Sequence, residues 1–148
     1  MSGEILPFHS VCPAIAETEM RWISIKIHPK LPDGDYGLAD AYCADPNCDC
    51  RVIYLWVIAE NAPGRILASI NYGWEPLRFY TRWMGLAKPD QMVRDLKGPA
   101  LTPMMAQTAF APALFAIVAP LFKENYYLEL LKKHYYQFKA TLKNNKKK

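Results

Sequence analysis

The first half of the chain alternates between apolar and polar positions, which is typical of half-buried β-strands. The clearest alternation places Ile23, Ile25 and Ile27 on one face and more polar residues between them. Four segments predict strands in this way: 22–28, 36–43, 51–59 and 65–71. The third is rich in β-branched and aromatic residues and gives the strongest prediction. Short connections predict an antiparallel meander, preceded by an irregular lead-in over residues 1–20.

The second half of the chain changes to apolar steps of three and four residues, which predicts helices. Gly98 is a predicted C-cap, and Thr102 followed by Pro103 predicts an N-cap and a first helical residue. The predicted helices cover 75–83, 89–97, a segment beginning at Thr102-Pro103, 112–119 and 125–142. Strands followed by helices predict an α+β fold, with an antiparallel meander and a C-terminal group of helices.

The last helix has the most regular apolar stripe of the chain. Its buried positions are predicted to be Tyr127, Leu131, His134, Phe138 and Thr141 or Leu142. Four lysines mostly fall off this stripe: Lys132, Lys133, Lys139 and Lys143. The ring of His134 is therefore predicted to point into the core, where it needs a polar partner.

Length and composition predict one domain with its own core. The chain has 148 residues, of which 51% are hydrophobic and 22% charged. Its net charge of +4 comes from seven lysines after residue 131, because residues 1–131 hold 11 basic and 14 acidic residues. A mildly acidic body does not favour a broad nucleic-acid footprint. We predict a single domain over residues 1–142 and a lysine-rich tail over 143–148.

One uncharged stretch, residues 98–122, is long enough to be weighed as a membrane span. Pro112 and Pro120 would break a continuous helix there, so we predict short buried helices and no span. The N-terminus lacks the basic start and apolar run of a signal peptide. The sequence therefore predicts a cytoplasmic protein, in which cysteines serve as thiols or metal ligands.

Three cysteines lie within eight residues, between the second and third predicted strands. Cys43, Cys48 and Cys50 have the spacing C-x4-C-x-C, and the intervening Asp-Pro-Asn is typical of a turn. Such a loop can fold its thiolates toward one point, and zinc prefers thiolate ligands at about 2.3 Å. Three thiolates around Zn²⁺ leave a net charge of −1, which Arg51 could partly offset. We therefore predict that residues 1–142 form a zinc-binding domain.

Two other interpretations of the same cysteines stay open. A disulfide between Cys48 and Cys50 is strained, and one between Cys43 and Cys48 leaves an odd thiol in the loop. Three free thiols without a metal would be prone to oxidation. Zinc is the interpretation that uses all three residues.

The sequence does not determine the fourth zinc ligand. His134 ranks first because its ring is predicted to face the core, and Cys12 follows as a thiol in a segment that could fold back. His28 and His9 are weaker candidates, since one ends a strand and the other lies in the lead-in.

The run from Tyr42 to Val52, with its YC-x-DP-x-CDC-RV pattern, resembles a signature of uncharacterised small bacterial zinc-binding proteins. Some of those proteins also carry a SEC-C motif, which this chain lacks. The segment around residues 124–140 is similar to the helix that closes such proteins. The resemblance implies a zinc-bound loop and a helical histidine, His134, that completes it. It implies no activity.

The motifs of common catalytic sites are missing from the sequence. It has no H-E-x-x-H, no Walker loop, no G-x-S-x-G and no deaminase pattern. We expect a non-catalytic, zinc-stabilised domain that acts as a protein-interaction or accessory module, with an unknown protein as its partner. One alternative is nucleic-acid binding through the Tyr72–Trp83 stretch and the lysine-rich C-terminus, using Arg78, Arg82, Trp83, Lys143 and Lys146. A second alternative is a zinc-dependent hydrolase.

Overall fold

An antiparallel β-sheet forms the centre of the protein in a computed structural model that describes residues 4–146. The strands are β1 (Ile5–Pro7), β2 (Arg21–Ile25), β3 (Gly34–Cys43), β4 (Val52–Ala59), β5 (Ala62–Gly73) and β6 (Ala100–Leu101). The helices are α1 (Phe8–Val11), α2 (Pro13–Glu19), α3 (Leu77–Trp83), α4 (Gln91–Lys97), α5 (Ala111–Val118), a 3₁₀ helix (Ala119–Lys123) and α6 (Asn125–Lys146). The predicted α+β class with C-terminal helices is confirmed.

The predicted meander forms the main part of the sheet. Strands β2, β3, β4 and β5 pair with their neighbours in sequence order, and every pair is antiparallel. The register places Tyr54 between Ala41 and Asn71. Strands β1 and β2 share one edge of β3, with Ile5 opposite Cys43 and Ile25 opposite Gly34. The end of β3 that carries Cys43 is therefore covered by the first residues of the chain.

Helices cover parts of both faces of the sheet. Neighbouring residues of a strand point to opposite faces, and Asn71 and Tyr72 of β5 show what lies on each. The Asn71 amide donates to the carbonyl oxygens of Asp95 and Leu96 at the end of α4. Tyr72 stacks on Phe122 of the 3₁₀ helix, with ring centroids 4.7 Å apart. Helices α3 and α4 therefore lie on one side, and the C-terminal helices lie on the other.

Three segments differ from the sequence prediction. The first predicted strand ends at Ile25, and Ile27, which the alternation placed on the buried face, is 94% exposed. The lead-in expected to be irregular contains β1, α1 and α2, because Phe8 and Ala16 are buried against the core. No helix begins at Thr102-Pro103. The backbone N–H of Thr102 instead donates to the carbonyl oxygen of Ser69, and the two hydroxyls lie 2.9 Å apart, so this segment adds to the sheet edge. The prediction at Gly98 is confirmed, since this residue ends α4 at φ 62°.

Helix α6 buries most of the stripe that the sequence predicted, but Thr141 and Leu142 are only half-buried. Tyr127, Leu131, His134 and Phe138 are all buried. Lys139, which the pattern placed off the stripe, is also buried. The helix continues to Lys146, whose side chain lies outside the described residues, as do Lys147 and Lys148. In residues 4–146, no helix combines the length and apolar character needed to cross a bilayer.

A buried polar cluster connects α6 to the sheet and to α2. The imidazole of His134 lies 2.7 Å from Asp40 Oδ2 through Nδ1 and 2.7 Å from Glu19 Oε1 through Nε2. The Tyr42 hydroxyl lies 2.6 Å from the same Asp40 oxygen, and the ring of Phe8 stacks on the imidazole at 4.0 Å. A carboxylate buried this deeply needs such partners, so the cluster holds three segments of the chain together.

The carboxylates favour the protonated form of His134. Burial lowers the pKa of this imidazole, but hydrogen bonds and charge from Asp40 and then from Glu19 outweigh burial. The net result is a pKa raised above the ordinary value for histidine. Because the folded state binds the proton more tightly, this contribution to stability is complete below the unfolded pKa of about 6.5. It is lost as the pH rises through the folded pKa.

We expect His134→Gln to lower the free energy of unfolding by about 3–5 kcal/mol at pH 6, because it removes the cation between two carboxylates. The difference from the wild type should shrink as the pH rises through the raised pKa of His134. Urea denaturation of both proteins between pH 6 and 9.5 measures this difference in the free energy of unfolding. Reductant and chelator are held constant. A difference independent of pH would contradict a protonated His134.

Candidate metal centre

The cysteine-rich loop connects the end of β3 to the start of β4. A turn shapes it, because the N–H of Cys48 donates to the carbonyl oxygen of Asp45 at 3.1 Å. The Asp45 carboxylate also accepts from the N–H of Asn47 at 2.9 Å. This local chemistry is what the Asp-Pro-Asn sequence predicted. All four cysteines of the chain are free thiols, so neither disulfide considered from the sequence is present.

The thiols of Cys43, Cys48 and Cys50 lie close enough to affect one another's ionisation. The thiol of Cys50 first of all, together with the N–H of Asp45 and the charge of Lys139, lowers the pKa of Cys43 to about 5 against the effect of burial. Interaction with Cys43 and burial raise the pKa of Cys50, and burial followed by the charge of Cys43 raises the pKa of Cys48. These opposite shifts favour ionisation of Cys43 over that of Cys48 and Cys50.

Side chains of helix α6 bind backbone atoms of the cysteine-rich loop. The buried Lys139 ammonium donates to the carbonyl oxygens of Cys43 and Asp45, both at 2.7 Å. The Tyr135 hydroxyl accepts from the N–H of Arg51 at 3.2 Å and donates to the carbonyl oxygen of Cys48 at 3.3 Å. No carboxylate within residues 4–146 pairs with Lys139. The Lys139 charge therefore lies beside the cysteine-rich loop, which we call the thiol loop.

Arg51 ends the loop in a left-handed backbone conformation, with φ of 53°. Such a conformation costs about 1–3 kcal/mol for a residue other than glycine and persists where its surroundings impose it. Its carbonyl oxygen accepts from the Tyr80 hydroxyl at 2.7 Å. Its guanidinium pairs with Asp49 at 2.8 Å and Glu75 at 2.6 Å. The sequence suggested that Arg51 would offset thiolate charge, but it is engaged with these carboxylates and Lys139 is better placed.

His134 does not lie with the cysteines, so its prediction as the fourth ligand is wrong for this structure. Both ring nitrogens face carboxylates, which leaves no free lone pair for a metal. The periodicity correctly placed the ring in the core, but it could not show that Asp40 and Glu19 would be its partners.

The other candidates for the fourth position are also elsewhere. Cys12 lies against α6, with its sulfur 3.5 Å from Thr141 Oγ1. His28 accepts from the N–H of Lys30 through Nδ1, and His9 is exposed on α1. In the part of the chain that the structure describes, no group of three or more His, Cys, Asp or Glu side chains is arranged to hold a metal ion. The three thiols are neighbours, but they do not form a finished metal site.

The residues predicted for partner or nucleic-acid contact lie in two separate parts of the structure. Arg78, Arg82 and Trp83 lie on α3 and line one groove of about 500 Å³. Lys143 is exposed near the end of α6 and does not line that groove. The side chain of Lys146 lies outside the described residues.

Sequence reasoning missed Lys139 and Asp40 as residues that organise this region. Lys139 is 7% exposed and Asp40 is 5% exposed. One signal could have found Asp40, because it is a single acid among the small and apolar residues of a predicted strand and needs a buried partner. The matching signal for Lys139 is its place next to Phe138 on the stripe, which is weaker because lysines often lie beside such stripes.

We expect Lys139→Met to lower the free energy of unfolding of the metal-free protein by about 1–3 kcal/mol, because two buried carbonyl oxygens lose their donor. It should also raise the pKa of Cys43, since the Lys139 charge lowers it. Chemical denaturation measures the first effect, and the pH dependence of iodoacetamide alkylation at Cys43, followed by peptide mass spectrometry, measures the second. Lys143→Met, on the exposed part of the same helix, is the control; equal effects of both variants would contradict the assignment.

Comparison of this chain with known proteins finds no matching family model, no matching curated protein and no matching solved structure.

Proposed function

We propose that this chain is a non-catalytic, zinc-stabilised domain in which Cys43, Cys48 and Cys50 bind the metal, and that it works as a protein-interaction module. The observation that supports zinc is that the Cys43 thiol, whose pKa is lowered, interacts with the neighbouring thiols of Cys48 and Cys50. Zinc binds thiolates, and a cysteine with a pKa of about 5 is ionised near neutral pH without any metal. Binding would ionise the other two thiols and release their protons.

The charges around the loop suit such a site. Three thiolates and Zn²⁺ carry a net charge of −1, and the Lys139 ammonium that holds the loop offsets it. Because the thiols are neighbours without forming a finished site, zinc would order a loop that the fold has already brought together. The chain supplies three ligands in this proposal, and neither His134 nor Cys12 is among them.

No observation in residues 4–146 favours the hydrolase alternative. A zinc hydrolase needs a free general base beside an open metal position. The acids nearest the loop are engaged, since Asp49 and Glu75 pair with Arg51 and Asp45 accepts from Asn47.

One observation favours nucleic-acid binding as a second candidate function. Arg78 and Arg82 are exposed on α3 beside the exposed Trp83, and neither has an ion pair in the described part of the chain. Arginines next to an accessible aromatic ring can bind phosphates and stack bases. Binding to single-stranded DNA that weakens with salt and is lost in the Arg78→Glu/Arg82→Glu variant would support it.

We expect protein purified under reducing conditions to contain about one zinc per chain, measured by elemental analysis. Cys48→Ser and Cys50→Ser should abolish zinc retention and lower the midpoint of thermal unfolding, because structural zinc contributes on the order of 10 kcal/mol. Cys12→Ser is the matched control, since it removes a buried thiol that lies away from the loop, and His134→Gln should also retain zinc. Metal-free wild type, or equal zinc loss in the Cys12→Ser protein, would refute the proposed site.

A further inference from the structure

Two cavities meet at Trp83 on the side of the sheet that α3 and α4 cover. The first is the groove of about 500 Å³ described above, which we call the arginine groove; its charged lining consists of Arg51, Glu75, Arg78 and Arg82. The second, about 280 Å³, we call the methionine cleft; it is lined by Tyr54, Asn71, Trp83, Met84, Met92, Asp95, Leu96, Thr102 and Pro103. Trp83 lines both cavities, so they are adjacent, and we call the two together the Trp83 surface.

The arginine groove has an excess of positive charge. Glu75 is paired with Arg51, which leaves Arg78 and Arg82 without an ion pair in the described residues. These two residues are one helical turn apart on α3 and point to the same side. The groove is therefore complementary to a carboxylate.

The methionine cleft is apolar and adaptable. Trp83 is 43% exposed and Met92 is 66% exposed, and a patch of exposed apolar side chains is typical of an interaction surface. Methionine side chains are flexible and can repack around different guests, which suits a peptide-binding surface. A cavity of about 280 Å³ is slightly smaller than the sites that hold drug-sized ligands, and it suits one large side chain.

Asn71 gives the cleft a specific polar feature. Its amide nitrogen donates to the carbonyl oxygens of Asp95 and Leu96, at 2.7 and 3.0 Å, which fixes the orientation of the amide. Its Oδ1 is buried and has no hydrogen-bond partner among the described residues. An unpaired buried acceptor is costly. Because this oxygen is covered in the unbound protein, a guest that carries an N–H or O–H donor would satisfy it only after neighbouring side chains of the cleft move. Tryptophan and tyrosine are the apolar side chains with such a donor.

We propose that the Trp83 surface binds a peptide segment of a partner protein in which an acidic residue lies near a tryptophan or tyrosine. The acidic residue pairs with Arg78 and Arg82, and the aromatic residue enters the methionine cleft beside Trp83 and reaches Asn71. Buried aromatic anchors next to a charged rim are the usual source of affinity in such interfaces. This inference rests on the proposed role as an interaction module and identifies the chemistry of its partner.

The thiol loop borders the same surface. Arg51 follows Cys50 and lines the arginine groove, whereas Tyr54 lines the methionine cleft. Tyr54 lies in the register of β4 opposite Ala41, two residues before Cys43 on β3. A metal that orders the loop would therefore also order one edge of the docking surface.

Selection of peptides from a phage-displayed library of random dodecapeptides on the zinc-treated full chain tests this inference. We expect enriched peptides to share Asp or Glu within a few positions of Trp or Tyr. A synthetic peptide of that sequence should shift the methyl NMR signals of Met84 and Met92 on titration. Trp83→Ala should weaken its affinity by more than about tenfold.

The matched charge variants are Arg82→Glu and Arg94→Glu. Both reverse one exposed arginine of a short helix, but Arg94 lines neither cavity. Arg82→Glu should weaken peptide binding about tenfold or more, and Arg94→Glu should leave it within about twofold. No enrichment, equal effects of the two variants, or displacement of the peptide by oligo-deoxythymidine would overturn the proposal.

Zinc content measured on every variant separates this test from that of the metal site. Peptide binding by a wild-type protein that retains no zinc would refute the metal proposal and support the docking surface. Zinc retention without any enriched peptide would refute the docking surface and support the metal proposal.

Discussion

A carboxylate buried in the middle of β3 has to be compensated, and the arrangement of the C-terminal helix follows from how this is done. Asp40 receives the imidazole of His134 and the hydroxyl of Tyr42. The same imidazole reaches Glu19 in α2, so one side chain joins the sheet, the last helix and the N-terminal segment. Once His134 is held there, Tyr135 and Lys139 of the same helix lie against the thiol loop. The position of the candidate metal centre depends on this compensation.

The thiol loop is organised by backbone contacts more than by its cysteines. Tyr135 and Lys139 bind the carbonyl oxygens of Cys43, Asp45 and Cys48, and the left-handed Arg51 is held by its own hydrogen bonds and ion pairs. These contacts fix the backbone of the loop that carries the three cysteines. An ammonium beside them favours thiolate, which is the form that zinc requires. Metal binding would then complete a loop whose shape the rest of the chain already imposes.

The opposite face of the sheet is covered by α3 and α4. Tyr80 fills the space left by Gly73, where a Cβ atom would lie 2.3 Å from the ring, and so fixes α3 against β5. With its inner side packed, α3 presents Arg78, Arg82 and Trp83 outward. Helix α3 therefore buries Tyr80 on one side and exposes these three residues on the other.

The sequence by itself determined the meander of β2 to β5, the apolar stripe of α6 and the cysteine loop. Each of these features follows from the spacing of residues within a short stretch of the chain. It failed at Thr102-Pro103, where strong N-cap chemistry lost to pairing with Ser69 on a distant strand. It also could not choose partners for His134 or bury Lys139, because periodicity shows which side of a helix is covered and not what covers it. Only the tertiary structure placed Asp40 and Glu19 around His134 and Lys139 over the thiol loop. Those contacts join residues about 90 or more positions apart, and their energy comes from desolvated charges that no local pattern records.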